Sequence, residues 1–206
     1  MIILIRPSDY NIHRQDLDCI YRLRFEVFYK KLQWDVLISE NSEYDQYDEK
    51  NAYYLAYKDK QGLIRGCLRL IEMNHECMFD GPFRFLSLNL QPFKFSGAWE
   101  VSRFATDPNL GYGRTQVTIY LLAALYYFCL KIKRVDLFFA ITCPAIARLY
   151  KQYGMTGDIV EKGEFKEQKL LVMAYKPLLF VYKTLLSQIP QSSLSSFIQD
   201  LKLRYK

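Results

Sequence analysis

The sequence predicts a single α/β domain, a three-layer sandwich built on one mixed central sheet. Three observations point to it. The 206 residues, half of them apolar, suffice for one sizeable core and fall short of two. The periodic segments follow the order strand, helix, loop, three strands, helix, strand, helix, strands. One of those helices is strongly apolar along its length, as an element packed inside a core must be.

Taken in order, residues 1–6 read as a strand stopped by Pro7-Ser8-Asp9. Asp16 is placed to cap a helix running to about residue 32, with Leu17, Ile20, Tyr21, Arg24, Val27 and Phe28 near one face. Residues 33–50 lose periodicity and turn acidic, and a loop of that length is expected to be mobile or functional. Trp34 at its start either closes over a ligand or anchors the loop. The strand Ala52-Tyr53-Tyr54-Leu55-Ala56-Tyr57, the turn Asp59-Lys60-Gln61-Gly62 and a strand over 63–73 make an antiparallel hairpin, with Cys67, Arg69 and Ile71 on one face.

Residues 79–90, with Gly81-Pro82, are expected to form a lid-like helix or an irregular connection, and 97–105 the central strand. After Asp107-Pro108-Asn109 come a core helix over 115–131 and a buried strand over 135–142. A helix then opens at Pro144 and stops at Gly154. Strands near 158–161 and 170–175 flank the turn-prone Lys162-Gly163-Glu164. Past Pro177 an apolar segment, Gln191-Ser192-Ser193 and an amphipathic tail from Leu194 predict a helical extension, 177–206, on a domain of residues 1–176.

Composition narrows the function. A net charge of +6 suits an acidic partner or an ordinary solvated surface, and no basic arm or nucleic-acid signature is present. Cys19, Cys67, Cys77, Cys129 and Cys143 are scattered and odd in number, the usage of a reducing compartment, so the expectation is a cytoplasmic protein. His13 and His75 alone give a zinc site or a His-dependent triad little to build on, which favours metal-free chemistry. The apolar start is too short for a signal peptide, and the run over 120–130 is too short to span a bilayer.

The informative residues are charges inside apolar elements. Trp99-Glu100-Val101-Ser102-Arg103-Phe104-Ala105 places an acid and a base in a run that reads as a buried strand, where charge is costly unless partnered. Arg24 sits on an apolar helix face, snorkelling to water or held inside by a carboxylate, and Arg69 lies on a sheet face. Asp45 and Asp48 lie in the acidic loop between them. Such a cluster is either a structural ion-pair network or a site for a zwitterionic ligand. Glu100 and Arg103, an odd number apart, face opposite sides of a regular strand, so reaching one site requires a bulge or a strand end between them.

Arg24-Phe25-Glu26-Val27-Phe28, then Trp34, Asp45, Asp48 and Arg69, then Glu100 and Arg103 within Glu-Val-Ser-Arg-Phe, resemble the LuxI-type acyl-homoserine-lactone synthases, the autoinducer synthases. All eight characteristic positions carry the family's residue, and the resemblance covers about residues 1–175. The order of elements is also that of the N-acyltransferase superfamily. The resemblance implies an enzyme that joins an acyl chain from acyl carrier protein to S-adenosylmethionine, a substrate and not a cofactor. The products are an N-acyl-homoserine lactone, methylthioadenosine and free carrier protein.

The same resemblance makes Glu100 the candidate general base and Arg103 its catalytic companion, with backbone donors on a splayed strand for the oxyanion. Arg24, Asp45, Asp48, Arg69 and Arg103 would shape the S-adenosylmethionine pocket, while Phe28 and Trp34 close over it. A purely structural role for Asp45 or Asp48 stands beside this. Leu137, Phe139 and Ile141 share one face of the strand that borders the acyl chain, and Phe138, Ala140 and Thr142 share the other. In the family a hydroxyl on this strand accompanies 3-oxo chains, and Ala140 or Thr142 takes that position.

Gly111-Tyr112-Gly113-Arg114 is a weak coenzyme A signature, lacking Arg or Gln three positions before the first glycine. Carrier protein is therefore the expected donor, met by Lys131, Lys133, Arg134, Arg148 and Lys151. The alternatives are an N-acyltransferase using acyl-coenzyme A or another amine, and a catalytically silent module that binds S-adenosylmethionine or a lactone.

Overall fold

A seven-stranded sheet in the order β1-β4-β5-β6-β7-β9-β8 organises the computed structural model, which describes residues 1–87, 90, 94 and 97–203. The strands are β1 (Ile2–Ile5), β4 (Tyr53–Lys58), β5 (Ile64–Glu72), β6 (Ala98–Thr106), β7 (Leu137–Thr142), β8 (Asp158–Phe165) and β9 (Gln168–Tyr175). A separate two-stranded ribbon pairs β2 (Ile38–Ser39) with β3 (Ser42–Glu43). Every neighbouring pair in the main sheet is antiparallel except β6–β7. That parallel step needs a crossover, which α2 (Gly113–Tyr127) and its wider-coiled continuation Phe128–Ile132 supply.

Helices cover both faces, so the expected three-layer α/β sandwich forms. One face carries α1 (Arg14–Arg24), which runs on as a π-helical stretch Phe25–Lys31, over a core that includes Ile3, Ile20, Phe28, Tyr54, Ile71 and Phe139. The other carries α2, α3 (Pro144–Gln152), α4 (Leu179–Ser187) and α5 (Gln191–Leu203). Residues 113–132 are long and apolar enough to cross a bilayer. Here they are packed between the sheet and α4, and buried residues from Val117 to Cys129 on all sides account for the composition. Gly66 of β5 admits this helix, because a Cβ there would lie 2.6 Å from Val117 and 2.9 Å from Leu121. Past Pro177, Val181, Tyr182, Leu185, Phe197 and Leu201 are buried in the same cluster as α2.

Three local expectations need correction. The first helix starts at Arg14, not beyond Asp16; Asp16 sits in its first turn, accepting from His13 Nδ1 at 3.0 Å and pairing with Lys58 at 2.7 Å. The strand β8 runs through Lys162-Gly163-Glu164, and the hairpin turns at Lys166 and Glu167, whose φ of 49° and 65° are what a two-residue turn demands. The amphipathic tail expected from Leu194 begins earlier, since Gln191-Ser192-Ser193 is the first turn of α5. The expected lid at 79–90 is a run of turns with a short 3-10 segment, Arg84–Leu86; residues 88 and 89 lie outside the described residues.

Candidate active site

Pairing between β6 and β7 holds only from Ala98–Leu137 to Glu100–Phe139, yet β6 runs on to Thr106 and β7 to Thr142. The sheet is therefore open from Glu100 onward. A second irregularity lies on the other edge of β6, where the register with β5 slips between Cys67 and Arg69 and Arg103 takes φ 54°. This is a β-bulge. It lets consecutive residues point the same way: Ser102 Oγ meets Arg69 Nε at 3.2 Å and Arg103 meets Glu43 and Asp45, while Phe104 turns to the opposite face to meet Tyr150. The bulge required by the odd spacing is present, and it brings Arg103 to the same face as Glu100.

There the charges assemble into one buried network. Arg24 forks onto Asp48, Nη1 to Oδ1 at 2.7 Å and Nη2 to Oδ2 at 2.9 Å, and its Nε donates to Glu43 Oε2 at 2.5 Å. Arg69 Nη1 bridges Asp45 at 2.5 Å and Asp48 at 2.9 Å. Arg103 Nη2 donates to Asp45 Oδ2 at 2.8 Å and lies 3.0 Å from Glu43, and its Nε reaches both oxygens of Glu43. Tyr54 adds a 2.5 Å bond to Asp48. Three guanidinium groups thus meet three carboxylates, which is how a core tolerates six charges.

Burial alone would raise the pKa of Asp48, but Arg24 and Arg69 outweigh it and hold the carboxyl far below its usual range. Glu43 is lowered in the same way, burial being overcome by Arg24 and Arg103. Glu43 is the residue that sequence reasoning passed over. It lies two positions before Asp45 in an extended stretch, and with Glu100 beside Asp45 and Asp48 the three arginines already look matched in sequence.

Trp34 stacks on Phe28, ring centres 5.0 Å apart, and the Arg103 guanidinium sits 5.6 Å above the Phe28 ring. The 33–50 segment is split in character: residues from Gln33 to Asn41 are almost all exposed, whereas Glu43, Asp45, Tyr47 and Asp48 are buried. Its second half is pinned to the sheet by the network.

Glu100, 2% exposed, stands at the opening of the sheet. Its Oε2 accepts the Met78 N–H at 2.8 Å, and its Oε1 has no partner among the described residues. Among the described residues the buried side-chain polar atoms without a partner are Glu100 Oε1, Arg69 Nη2 and Tyr47 Oη. Buried polar groups are nearly always bonded, so an acceptor, a donor and a phenol left open in one region mark a place for a polar ligand. No group of His, Cys, Asp and Glu among the described residues is placed to hold a metal ion.

Ala140 and Thr142 lie on the other face of β7, towards α2 and α3, where Phe138 and Ala140 join the larger core cluster. Thr142 Oγ1 reaches only the Cys143 carbonyl, at 3.4 Å. The polar network and this apolar side therefore approach the open seam between β6 and β7 from opposite faces of the sheet. Of the five expected basic residues, Lys133 is partly engaged, its Nζ 4.7 Å from the Tyr53 ring centre and 5.8 Å from that of Trp99, while all five are exposed.

A mixed sheet opened at one parallel pair, with helices on both faces, defines an N-acyltransferase-like fold. Solved structures share it: BjaI, a CoA-dependent acyl-homoserine lactone synthase with SAM and isopentyl-CoA, superposes with a TM-score of 0.84 over 97% of this chain and 99% of its own at 17% identity. The acyl-homoserine-lactone synthase LasI gives 0.79 over 92% and 95% at 19% identity. In sequence, the acyl-homoserine-lactone synthase of Aliivibrio fischeri is 30% identical over 74% of this chain and 80% of its own. That of Vibrio anguillarum is 29% identical over 70% and 76%. The autoinducer synthase family model matches residues 8–178, and the chain belongs to that family of acyltransferase-type enzymes.

Proposed function

We propose that the protein joins an acyl thioester to S-adenosylmethionine and closes the product to an N-acyl-homoserine lactone. The observation that carries this reading is the pair of buried open groups, Glu100 Oε1 at the seam and Arg69 Nη2 on the neighbouring strand β5, an acceptor and a donor suited to the amine and the carboxylate of an α-amino acid. Phe28 and the half-exposed Trp34 stand beside Arg103 to cover the ligand.

In the first step Glu100 Oε1 takes a proton from the substrate ammonium, directly or through water, and the freed lone pair attacks the thioester carbonyl. The seam exposes strand backbone on which the oxyanion can be held. Collapse of the tetrahedral intermediate breaks the C–S bond, the second proton of the nitrogen passes to the departing thiolate, directly or through water, and an amide and a free thiol are left. In the second step a carboxylate oxygen attacks the γ-carbon, the C–S bond to the sulfonium breaks, and methylthioadenosine departs with the electron pair. This displacement is intramolecular and has a good leaving group, so holding the two ends together is the main demand. S-Adenosylmethionine is consumed as a substrate and no further cofactor is required.

Acyl carrier protein is the proposed donor. Pro108 stands where coenzyme A users carry Arg or Gln, and Lys131, Arg134, Arg148 and Lys151 offer exposed positive charge to an acidic carrier. Two intracellular substrates and five free cysteines support the reading of a cytoplasmic reaction. The second reading is an acyl-coenzyme A donor, favoured by Gly111 at φ 52° and the N-terminus of α2 beside it. BjaI, which shares the fold, is itself named CoA-dependent.

The test incubates the protein with S-adenosylmethionine and either acyl carrier protein or coenzyme A thioesters, with mass spectrometry of the products. Lactone and methylthioadenosine with carrier thioesters are expected; lactone only from coenzyme A thioesters would transfer the donor role. The absence of methylthioadenosine with every donor would reduce the protein to a binding module.

A further inference from the structure

Tyr47 belongs to neither the ion-pair network nor the aromatic cover, yet it is built into the site. It lies on the 3-10 turn Gln46–Asp48, where its backbone N–H donates to Asp45 Oδ1 at 3.0 Å, and the Arg69 guanidinium sits 5.7 Å from its ring centre. The side chain is 5% exposed, and among the described residues its Oη is buried without a well-formed hydrogen bond, the neighbouring Gln46 side chain making at most a weak one. The hydroxyl is seated against Gly81, where any side chain would collide with it.

A buried hydroxyl that serves only the fold is normally bonded within the fold, so one left open beside two other open groups calls for a partner from outside. Its surroundings select the kind of partner. Burial pushes the phenol up to about 12, and the charged groups that add to this are all carboxylates, Glu76, Asp45 and Glu100. At neutral pH the group is an intact phenol in an acidic setting, which favours a cationic N–H over a carboxylate as the group that approaches it.

We infer that Tyr47 is a substrate-contacting residue whose phenol oxygen accepts a hydrogen bond from the α-amine of the amino-acid substrate beside Glu100 Oε1. This rests on the reading of the protein as an S-adenosylmethionine-dependent acyltransferase and adds a contact to it. Two acceptors, Glu100 and Tyr47, then fix the amine, while Arg69 Nη2 takes the carboxylate. The amine is held by two points and can present its lone pair to the thioester once Glu100 has removed a proton.

The experiment measures binding of S-adenosylmethionine and of methylthioadenosine by calorimetry, using the unsubstituted chain and Tyr47→Phe. Methylthioadenosine shares the adenosine and sulfur but lacks the amino-acid head. Because the hydroxyl has no bonded partner among the described residues, the variant should melt like the parent. It should bind S-adenosylmethionine about tenfold more weakly, the size expected for one hydrogen bond to a charged group, and methylthioadenosine unchanged. Equal weakening of both ligands, or of neither, overturns the assignment. Failure of the unsubstituted chain to bind S-adenosylmethionine overturns the functional reading and this contact with it.

Discussion

Arg24 and Asp48 meet through two roughly parallel hydrogen bonds, 2.7 and 2.9 Å long, with both side chains shut off from solvent. Asp48 also receives Tyr54 and Arg69, so this one carboxylate joins the end of α1 to β4 and β5. In the folded protein the arginines hold Asp48 and Glu43 below the ordinary carboxylate range, against the upward push of burial. The unfolded chain then binds more protons as the pH falls. The stability these pairs supply is present above about pH 4 to 5 and is lost progressively below about pH 4. Asp48→Asn should lower stability at pH 7 by about 3 kcal/mol or more, since two arginines lose a charged partner in the core. It should also flatten the acid limb of a stability curve from urea unfolding at several pH values. Parallel acid limbs for variant and parent would mean that Asp48 is not the group being titrated.

Arg103 combines a needed side chain with an unfavourable backbone. At φ 54° it occupies the left-handed region that glycine adopts without strain. Arg103→Gly and Arg103→Ala both remove one of the two arginine partners of Glu43 and of Asp45 and should both impair activity. Glycine relieves the backbone and alanine does not, so the glycine variant should be the more stable by about 1 kcal/mol in denaturant unfolding. The reverse order would show that the bulge is unstrained.

The sequence carried the strand and helix order, because hydrophobic period follows burial directly, and it carried the charged pockets, because Arg24, Arg69, Glu100 and Arg103 interrupt that period. It carried less where tertiary contacts set local shape. Nothing in Lys162-Gly163-Glu164 says that β8 continues through it, since Gly163 is held in the strand by pairing with Leu170 of β9. Glu43 was hidden among the exposed acids of 33–50, and only the arginines from three distant elements distinguish it. The open seam beyond Glu100 and Phe139 has no sequence signal at all, because it is a missing pairing.

The split character of 33–50 predicts a pattern of amide exchange. Backbone amides at 34–41 should exchange faster than those of β4 and β5 in the free protein and gain protection with S-adenosylmethionine, whereas Tyr47 and Asp48, tied to Asp45, should be protected throughout. Hydrogen exchange read by mass spectrometry checks this. Equal protection of 34–41 with and without ligand would make that half a fixed wall.

Thr142 carries a hydroxyl on the face of β7 that looks towards α2 and α3, with only a 3.4 Å approach to the Cys143 carbonyl to occupy it. Thr142→Val keeps the shape and removes the donor. If the hydroxyl bonds a 3-oxo group, the variant should lose about 1 kcal/mol in kcat/KM for 3-oxo thioesters relative to their unsubstituted counterparts. Equal losses with both donors would leave Thr142 a structural role.

The most direct test is the rate of methylthioadenosine release from saturating S-adenosylmethionine and acyl carrier thioester, compared between the parent and Glu100→Gln. The amide preserves the shape of the side chain and can still accept the Met78 N–H, but it cannot take the proton of the ammonium. With an unchanged melting temperature the variant should be slower by about 100- to 10,000-fold. Release at the parental rate from a folded Glu100→Gln protein would contradict the account, since no base at Glu100 would then be needed.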